Sequence, residues 1–322
     1  MSDSGFTVGV DLGGTNIQAG LVDAEGKIVA RDSTKTKADD GPDAVIKRLC
    51  KLVSGVVDDA DTKLKHVDAI GVGVPGAIDF ERGVVVNAVN LRWREFDAAA
   101  AIRESLGRPV VIDNDVNVGA WGEYKAGAGQ GFDDQIAIFI GTGIGAGLIL
   151  GGRLHHGPGG TAGEIGQMVL HASGGLGRRT LEQWASRNTI ANLVISLIKS
   201  NHPSAVTQIT DGDLTKVRSK VLSQAYAQGD PLVREVLDQA ARDIGYAAAN
   251  AVTLLSLPCV VLGGGLVEAI DASWTDRVRR AFLDVVFPET LRESEVRVST
   301  LGDDAGVVGA ALLARDAEGD NR

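Results

Sequence analysis

Short apolar runs recur along the chain, each halted by glycine, asparagine or aspartate. Between them lie stretches whose apolar positions fall three and four apart. FTVGVDL at residues 6–12, IQAGLV at 17–22 and KIVARD at 27–32 carry the first signature and predict three strands joined by tight turns. The period then changes: Val45, Leu49, Leu52, Val53 and Val56 follow helical spacing, with Pro42 and acidic residues at the start. DAIGVGVPG at 68–76 and PVVIDND at 109–115 are further short strands ending in polar or glycine residues. DQIAIFIGTGIGAGLILGG at 134–152 predicts strand, glycine turn and strand. Helical patterns follow over 181–200, 211–228 and 231–257. The strand CVVLGGG, a helix over 274–287, the strand EVRVST and an apolar helix AGVVGAALLAR complete the series.

An apolar strand, a Gly-Thr turn and a returning strand occur at residues 6–22 and again at 135–151, which points to two similar α/β halves. A chain of 322 residues suits two domains, each with its own core. With no low-complexity tract or linker, they are expected to pack closely around a cleft. The expected division is an N-terminal domain of residues 1–113 plus about 304–322, and a C-terminal domain of 114–303.

Composition narrows the function classes. The net charge of −10 opposes nonspecific binding to nucleic acid or to an anionic membrane. A phosphate ligand must then be held by backbone N–H groups and a metal ion rather than by a basic face. The two cysteines, Cys50 and Cys259, lie far apart in apolar contexts and read as reduced core thiols of a cytoplasmic protein. The N-terminus has no signal-peptide pattern. Residues 244–267 carry no charge, but Pro258 and three consecutive glycines divide them into a buried helix and a buried strand, not a membrane span.

Four segments carry candidate chemistry. In DLGGTN, Gly13 and Gly14 can aim N–H groups at an anion, Thr15 can add a hydroxyl, and Asp11 can hold magnesium directly or through water. A plain hairpin turn uses the same residue types. IGTGIGAG at 140–147 matches a dinucleotide fingerprint, yet a strand follows where that fingerprint needs a helix, and GVGVPG fails likewise. Two Gly-Thr hairpins suit two domains that grip the phosphates of one nucleotide. VVLGGGLVEA follows a buried strand and is expected to open a helix, where residues 263–265 can admit an adenosine or simply allow close packing. In IDNDVNVGAWGE, a carboxylate at a strand end can take a proton from a hydroxyl that attacks phosphorus. Asp113 or Asp115 can equally be the N-cap of the helix that begins there.

Taken in order and spacing, DLGGTN, GVPGAID, NDVNVGAWGE, GTGIGAG and GEIG resemble the ROK family of sugar kinases and repressors, from about residue 7 to residue 313. The resemblance implies an α/β, two-domain actin-like (ribonuclease-H-like) ATPase fold that binds MgATP in the cleft and phosphorylates a hexose such as glucose. It makes Asp115 the general base. Asn114, Glu164, Glu182 and Gly76 become sugar-binding. Asp11, Gly13, Gly14, Thr15 and Asn16, with Gly141, Thr142 and Gly143, would hold phosphates and metal, and Gly263, Gly264 and Gly265 would border the adenosine. A homodimer is also implied. The repressors' N-terminal helix-turn-helix is not expected, because the first strand begins at about residue 6. One departure stands out. The family's structural zinc is held by one histidine and three cysteines, and those positions here are Gln167, Ser173, Gly175 and Thr180, so no zinc is expected. Gln167 sits where that histidine touches sugar, and Arg178 and Arg179 either brace the loop or are a solvated pair. The leading expectation is glucose 6-phosphorylation. N-acetylmannosamine or fructose as acceptor, polyphosphate as donor, and a non-catalytic sugar-binding regulator are the alternatives.

Overall fold

A computed structural model describes residues 5–175 and 177–320. Along the chain, β1 (Phe6–Leu12), β2 (Asn16–Val22) and β3 (Ile28–Lys35) lead to α1 (Pro42–Asp59) and β4 (Val67–Val74). A small hairpin layer of β5 (Ala77–Asp79), β6 (Val84–Ala88) and β7 (Trp93–Phe96) precedes α2 (Ala98–Leu106), β8 (Val110–Asn114) and α3 (Asp115–Ala126). Then come β9 (Gln135–Ile140), β10 (Ile144–Leu150) and β11 (Arg153–Leu154). They are followed by α4 (Glu182–Ala185), α5 (Arg187–Lys199), α6 (Val206–Ile209), α7 (Ser219–Ala227) and α8 (Pro231–Leu255). The chain ends with β12 (Cys259–Gly263), α9 (Ala272–Val285), β13 (Glu295–Val298) and α10 (Ala305–Asp320).

The two larger sheets share one plan, with orders β3-β2-β1-β4-β8 and β11-β10-β9-β12-β13. In the first, β1 runs antiparallel to β2 and parallel to β4, and β4 runs parallel to β8. In the second, β9, β12 and β13 are parallel. The recurrence seen in the sequence is therefore a recurrence of topology. The described residues form two compact units, one of residues 5–131, Gly147–Ala162 and residues 303–320, the other of Phe132–Ala146 and residues 163–175 and 177–302.

The central strands are buried on both faces because helices cover them: Val8, Val10, Ile70 and Val72 face one core, and the intervening Thr7, Gly9, Ala69 and Gly71 are buried on the other face. In the first unit α10 lies against β1 and β4 and also against α3. Side chains would hold these backbones apart. Gly9 and Gly71 remove them on the strands, where a Cβ would strike the carbonyl oxygens of Val307 and Ala310. Gly309 removes one on the helix, where a Cβ would strike the carbonyl oxygen of Val118.

Three helical expectations are revised. The stretch 181–200 breaks at Ser186, whose extended backbone and side-chain oxygen, accepting from Thr189 N, cap α5. The stretch 211–228 keeps only α7 as α-helix, because Asp211 and Gly212 turn the chain with φ of 53° and 79°. After residues 263–265 the chain makes turns rather than an α-helix, and α9 begins only at Ala272, capped by Asp271. As expected of residues 244–267, α8 ends before β12, and no helix among the described residues is long and apolar enough to cross a membrane.

The packing of α10 sets up a contest of magnitudes at Gly309. Alanine gains about 1 kcal/mol of helix propensity, whereas overpacking against immovable backbone costs about 1–3 kcal/mol. Gly309→Ala is expected to lower the thermal midpoint by several degrees; an unchanged or raised midpoint would contradict the close packing.

Candidate active site

Within the first unit, the candidate residues collect at the carboxyl ends of the parallel strands β1, β4 and β8. There the ladder pairs Asp11 with Gly73 and Val74 with Asn114. The turn between β1 and β2 spends little of its hydrogen-bonding capacity on itself. Gly13 N donates to Asn16 O at 2.9 Å, Thr36 Oγ1 donates to Gly13 O at 2.6 Å, and Thr36 N donates to Thr15 O. Lys35 Nζ donates to Asn16 Oδ1 at 2.9 Å and so brings a cation to the turn. Among the described residues, the N–H groups of Gly14 and Thr15 meet no protein acceptor, so with the Thr15 hydroxyl they are donors that an anion could engage.

Asp11 stands at the foot of this turn and packs against Gly306 in the first turn of α10, where a Cβ would come within 3.1 Å of its carboxyl carbon. Burial first, then the charges of Asp115 and Asp303, raise its pKa from 3.8 to about 6. Asp11 is thus a buried carboxyl crowded by the negative charges of Asp115 and Asp303. Among the described residues no three His, Cys, Asp or Glu side chains are arranged to hold an ion by themselves.

Asp115 is the first residue of α3. The cap itself is Asn114, not Asp113 or Asp115: its Oδ1 accepts from Val116 N at 2.9 Å and Asn117 N at 3.2 Å, while its Nδ2 donates to Gly76 O at 3.1 Å. Asp113 lies beneath, buried, and receives Asn114 N at 2.7 Å, Asn117 Nδ2 at 3.0 Å and His156 Nε2 at 2.6 Å. The His156 ring in turn stacks on Phe80 at 3.7 Å. Asn114 is thus fixed at both ends of its amide, and Asp115 inherits its position from a buried network.

In the second unit, the turn at residues 141–143 joins β9 to β10, and Gly263 pairs with Phe139 beside it. Gly264, at φ 90°, lies on the backbone of Ile140, where a Cβ would come within 2.8 Å, and Leu266 N donates to Ile140 O. Residues 141–143 and 263–265 therefore share one end of the sheet. Glu182 is tied to the turn, its Oε2 accepting from Ile144 N at 2.8 Å and its Oε1 from Gln167 Nε2 at 3.3 Å. Glu164 is exposed ahead of a short 3₁₀ turn at Ile165–Gln167.

The loop between Gln167 and Glu182 is stapled without thiolates. Val169 and Thr180 bridge, Leu181 N donates to Met168 O, and Arg179 N donates to Gln183 Oε1 at 2.8 Å. Both arginines take part. The Arg179 Nε donates to Gly174 O at 2.9 Å, and the Arg178 guanidinium lies 4.8 Å over Trp184. His171 leans on the same tryptophan and meets the buried Asp243 at 3.1 Å, a carboxyl whose pKa burial raises.

The model of the family described as the ROK family matches residues 7–317. The glucokinase of Halalkalibacterium halodurans is 32% identical over 323 residues, with 99% of this chain and 97% of that protein covered. The glucokinase of Streptomyces coelicolor is 33% identical over 320 residues, covering 97% and 98%. A crystal structure of a ROK family glucokinase from Streptomyces griseus, in complex with glucose and AMPPNP, superposes with a TM-score of 0.85 at 33% identity, covering 97% of this chain and 100% of that one.

The crowding of Asp11 has a sign that can be measured. Its folded pKa, about 6, exceeds the ordinary 3.8. The folded state therefore holds the proton more tightly, and stability falls as pH rises through that interval. Without metal, Asp11→Asn is expected to melt several degrees above the parent at pH 7.5, with the gap closing toward pH 4–5. A gap that does not change with pH would contradict the crowding.

Proposed function

This chain belongs to the ROK family and has the family's actin-like ATPase fold, and from that premise we propose that it is an ATP-dependent glucokinase that makes glucose 6-phosphate. The reading is carried by Asp115, held at the first turn of α3 beside Asp11, at the strand ends next to a turn with free N–H groups. Asp115 takes the proton of the sugar's 6-hydroxyl as that oxygen attacks the γ-phosphorus. A helix N-terminus favours negative charge at that position.

Glu164, Gln167, Glu182 and Asn114 orient the sugar through its other hydroxyls, and the backbone at Gly76 borders it. Gln167 donates and accepts without carrying charge. The N–H and hydroxyl groups of residues 13–15 and 141–143 hold the phosphates, Asn16 steadies the first turn, and residues 263–265 leave bare backbone for the adenosine. Magnesium, held by Asp11 directly or through water, neutralises charge on the phosphates when bound. In this reading the enzyme works in glycolysis in the cytoplasm as a homodimer and carries no structural zinc. The buried free cysteines suit a reducing compartment.

An ADP-release assay over a sugar panel tests the reading. Glucose is expected to give the highest kcat/KM, and Asp115→Asn to lower kcat by about 10²–10⁴-fold with the glucose KM little changed. Failure of every sugar to stimulate ADP release, or full activity in the variant, would sink it.

A further inference from the structure

The turn at residues 141–143 is served by a cation that the motif pattern does not single out. Arg187, first residue of α5, grips the turn twice. Its N–H donates to Gly141 O at 3.0 Å, and its Nη2 donates to Thr142 Oγ1 at 2.7 Å. Because the Thr142 oxygen accepts from the guanidinium, its own O–H is released to donate elsewhere. Among the described residues, the N–H groups of Thr142 and Gly143 meet no protein acceptor.

Three further observations separate this arginine from a mere brace. Its Nε is buried with no hydrogen-bond partner, a condition that an incoming acceptor relieves. None of the ion pairs among the described residues includes it, although the chain carries ten more acidic than basic charges. It also sits at the end of α5 where the helix dipole disfavours a cation. A half-buried guanidinium in no ion pair, with its Nε unpartnered, stands beside two N–H groups without a protein acceptor and a polarised hydroxyl, although the Glu182 carboxylate is bound to the same turn at Ile144 N.

We propose that Arg187 is a phosphate-binding residue that clamps the phosphate chain of the nucleoside triphosphate at this turn. It shares the anion with the Thr142 hydroxyl and the N–H groups of Thr142 and Gly143. The assignment rests on the kinase reading above and adds a residue to it. A planar fork that keeps one N–H on Thr142 while presenting others to phosphate explains why arginine, rather than lysine, suits the position.

Calorimetry with AMPPNP and with adenosine, together with steady-state kinetics, tests the clamp on the parent, Arg187→Ala, Arg187→Gln and Arg187→Lys. Arg187→Ala and Arg187→Gln are expected to weaken AMPPNP by about 10- to 100-fold and to raise the ATP KM in step. Adenosine affinity, the glucose KM and the thermal midpoint should stay close to the parent's, and Arg187→Lys should fall between. Arg187→Gln can still donate to Thr142, so it separates loss of charge from loss of the brace. AMPPNP affinity within twofold of the parent, or an equal loss for adenosine and glucose, would overturn the clamp. A parent that turns over glucose while Arg187→Ala keeps its ATP KM refutes the clamp and leaves the kinase reading standing. A parent that binds AMPPNP through Arg187 but phosphorylates no sugar refutes the kinase reading alone, and a parent that binds no AMPPNP refutes both.

Discussion

The close approach of α10 to β1, β4 and α3 is the constraint on which the first unit depends. Where Gly9, Gly71 and Gly309 stand, a side chain would collide with a carbonyl oxygen of the neighbouring element, so the four elements lock backbone to backbone. Asp11 at the end of β1 and Asp115 at the start of α3 are thereby brought close enough for each to feel the other's charge. Two acidic groups at such separation are a cost to the folded chain. The glycine contacts hold them there nonetheless, which is how binding sites commonly store unfavourable electrostatics until a ligand relieves it.

The two Gly-Thr turns have the same outline and different supports. Residues 13–15 are held by Thr36 and by Lys35 through Asn16. Residues 141–143 are held by Arg187 and, at Ile144, by Glu182. Each support leaves two N–H groups and a threonine hydroxyl for an anion and places a cation beside them. In a chain of net charge −10, each turn has one cation placed beside it. The loop from Gln167 to Glu182 is likewise held by local contacts: a backbone bridge, two arginines and the meeting of His171 with Asp243.

Much of this was legible in the chain. The strand–turn–strand recurrence became two sheets of one topology, because strands buried on both faces are written as continuous apolar runs that no amphipathic helix imitates. Asp11 and Asp115 stood out as carboxylates at strand ends. The cap was misassigned because aspartate and asparagine serve equally at that position and only the three-dimensional network, Asp113 with His156 above all, decides between them. His171 and Asp243 are 72 residues apart, a separation at which no local pattern speaks. Arg187 was different: once Ser186 is recognised as a cap, an arginine at the first helical position runs against the dipole and marks itself as a residue kept for another purpose.

Transfer of a phosphoryl group from ATP to a hexose hydroxyl can be watched in real time by phosphorus resonance. With purified protein, glucose, ATP and magnesium, the account predicts that the γ-phosphate signal declines while a sugar-monoester signal assigned to glucose 6-phosphate rises in equal measure, with ADP as the other product. Decline of ATP into inorganic phosphate with no sugar ester, or a spectrum that does not change, would contradict it.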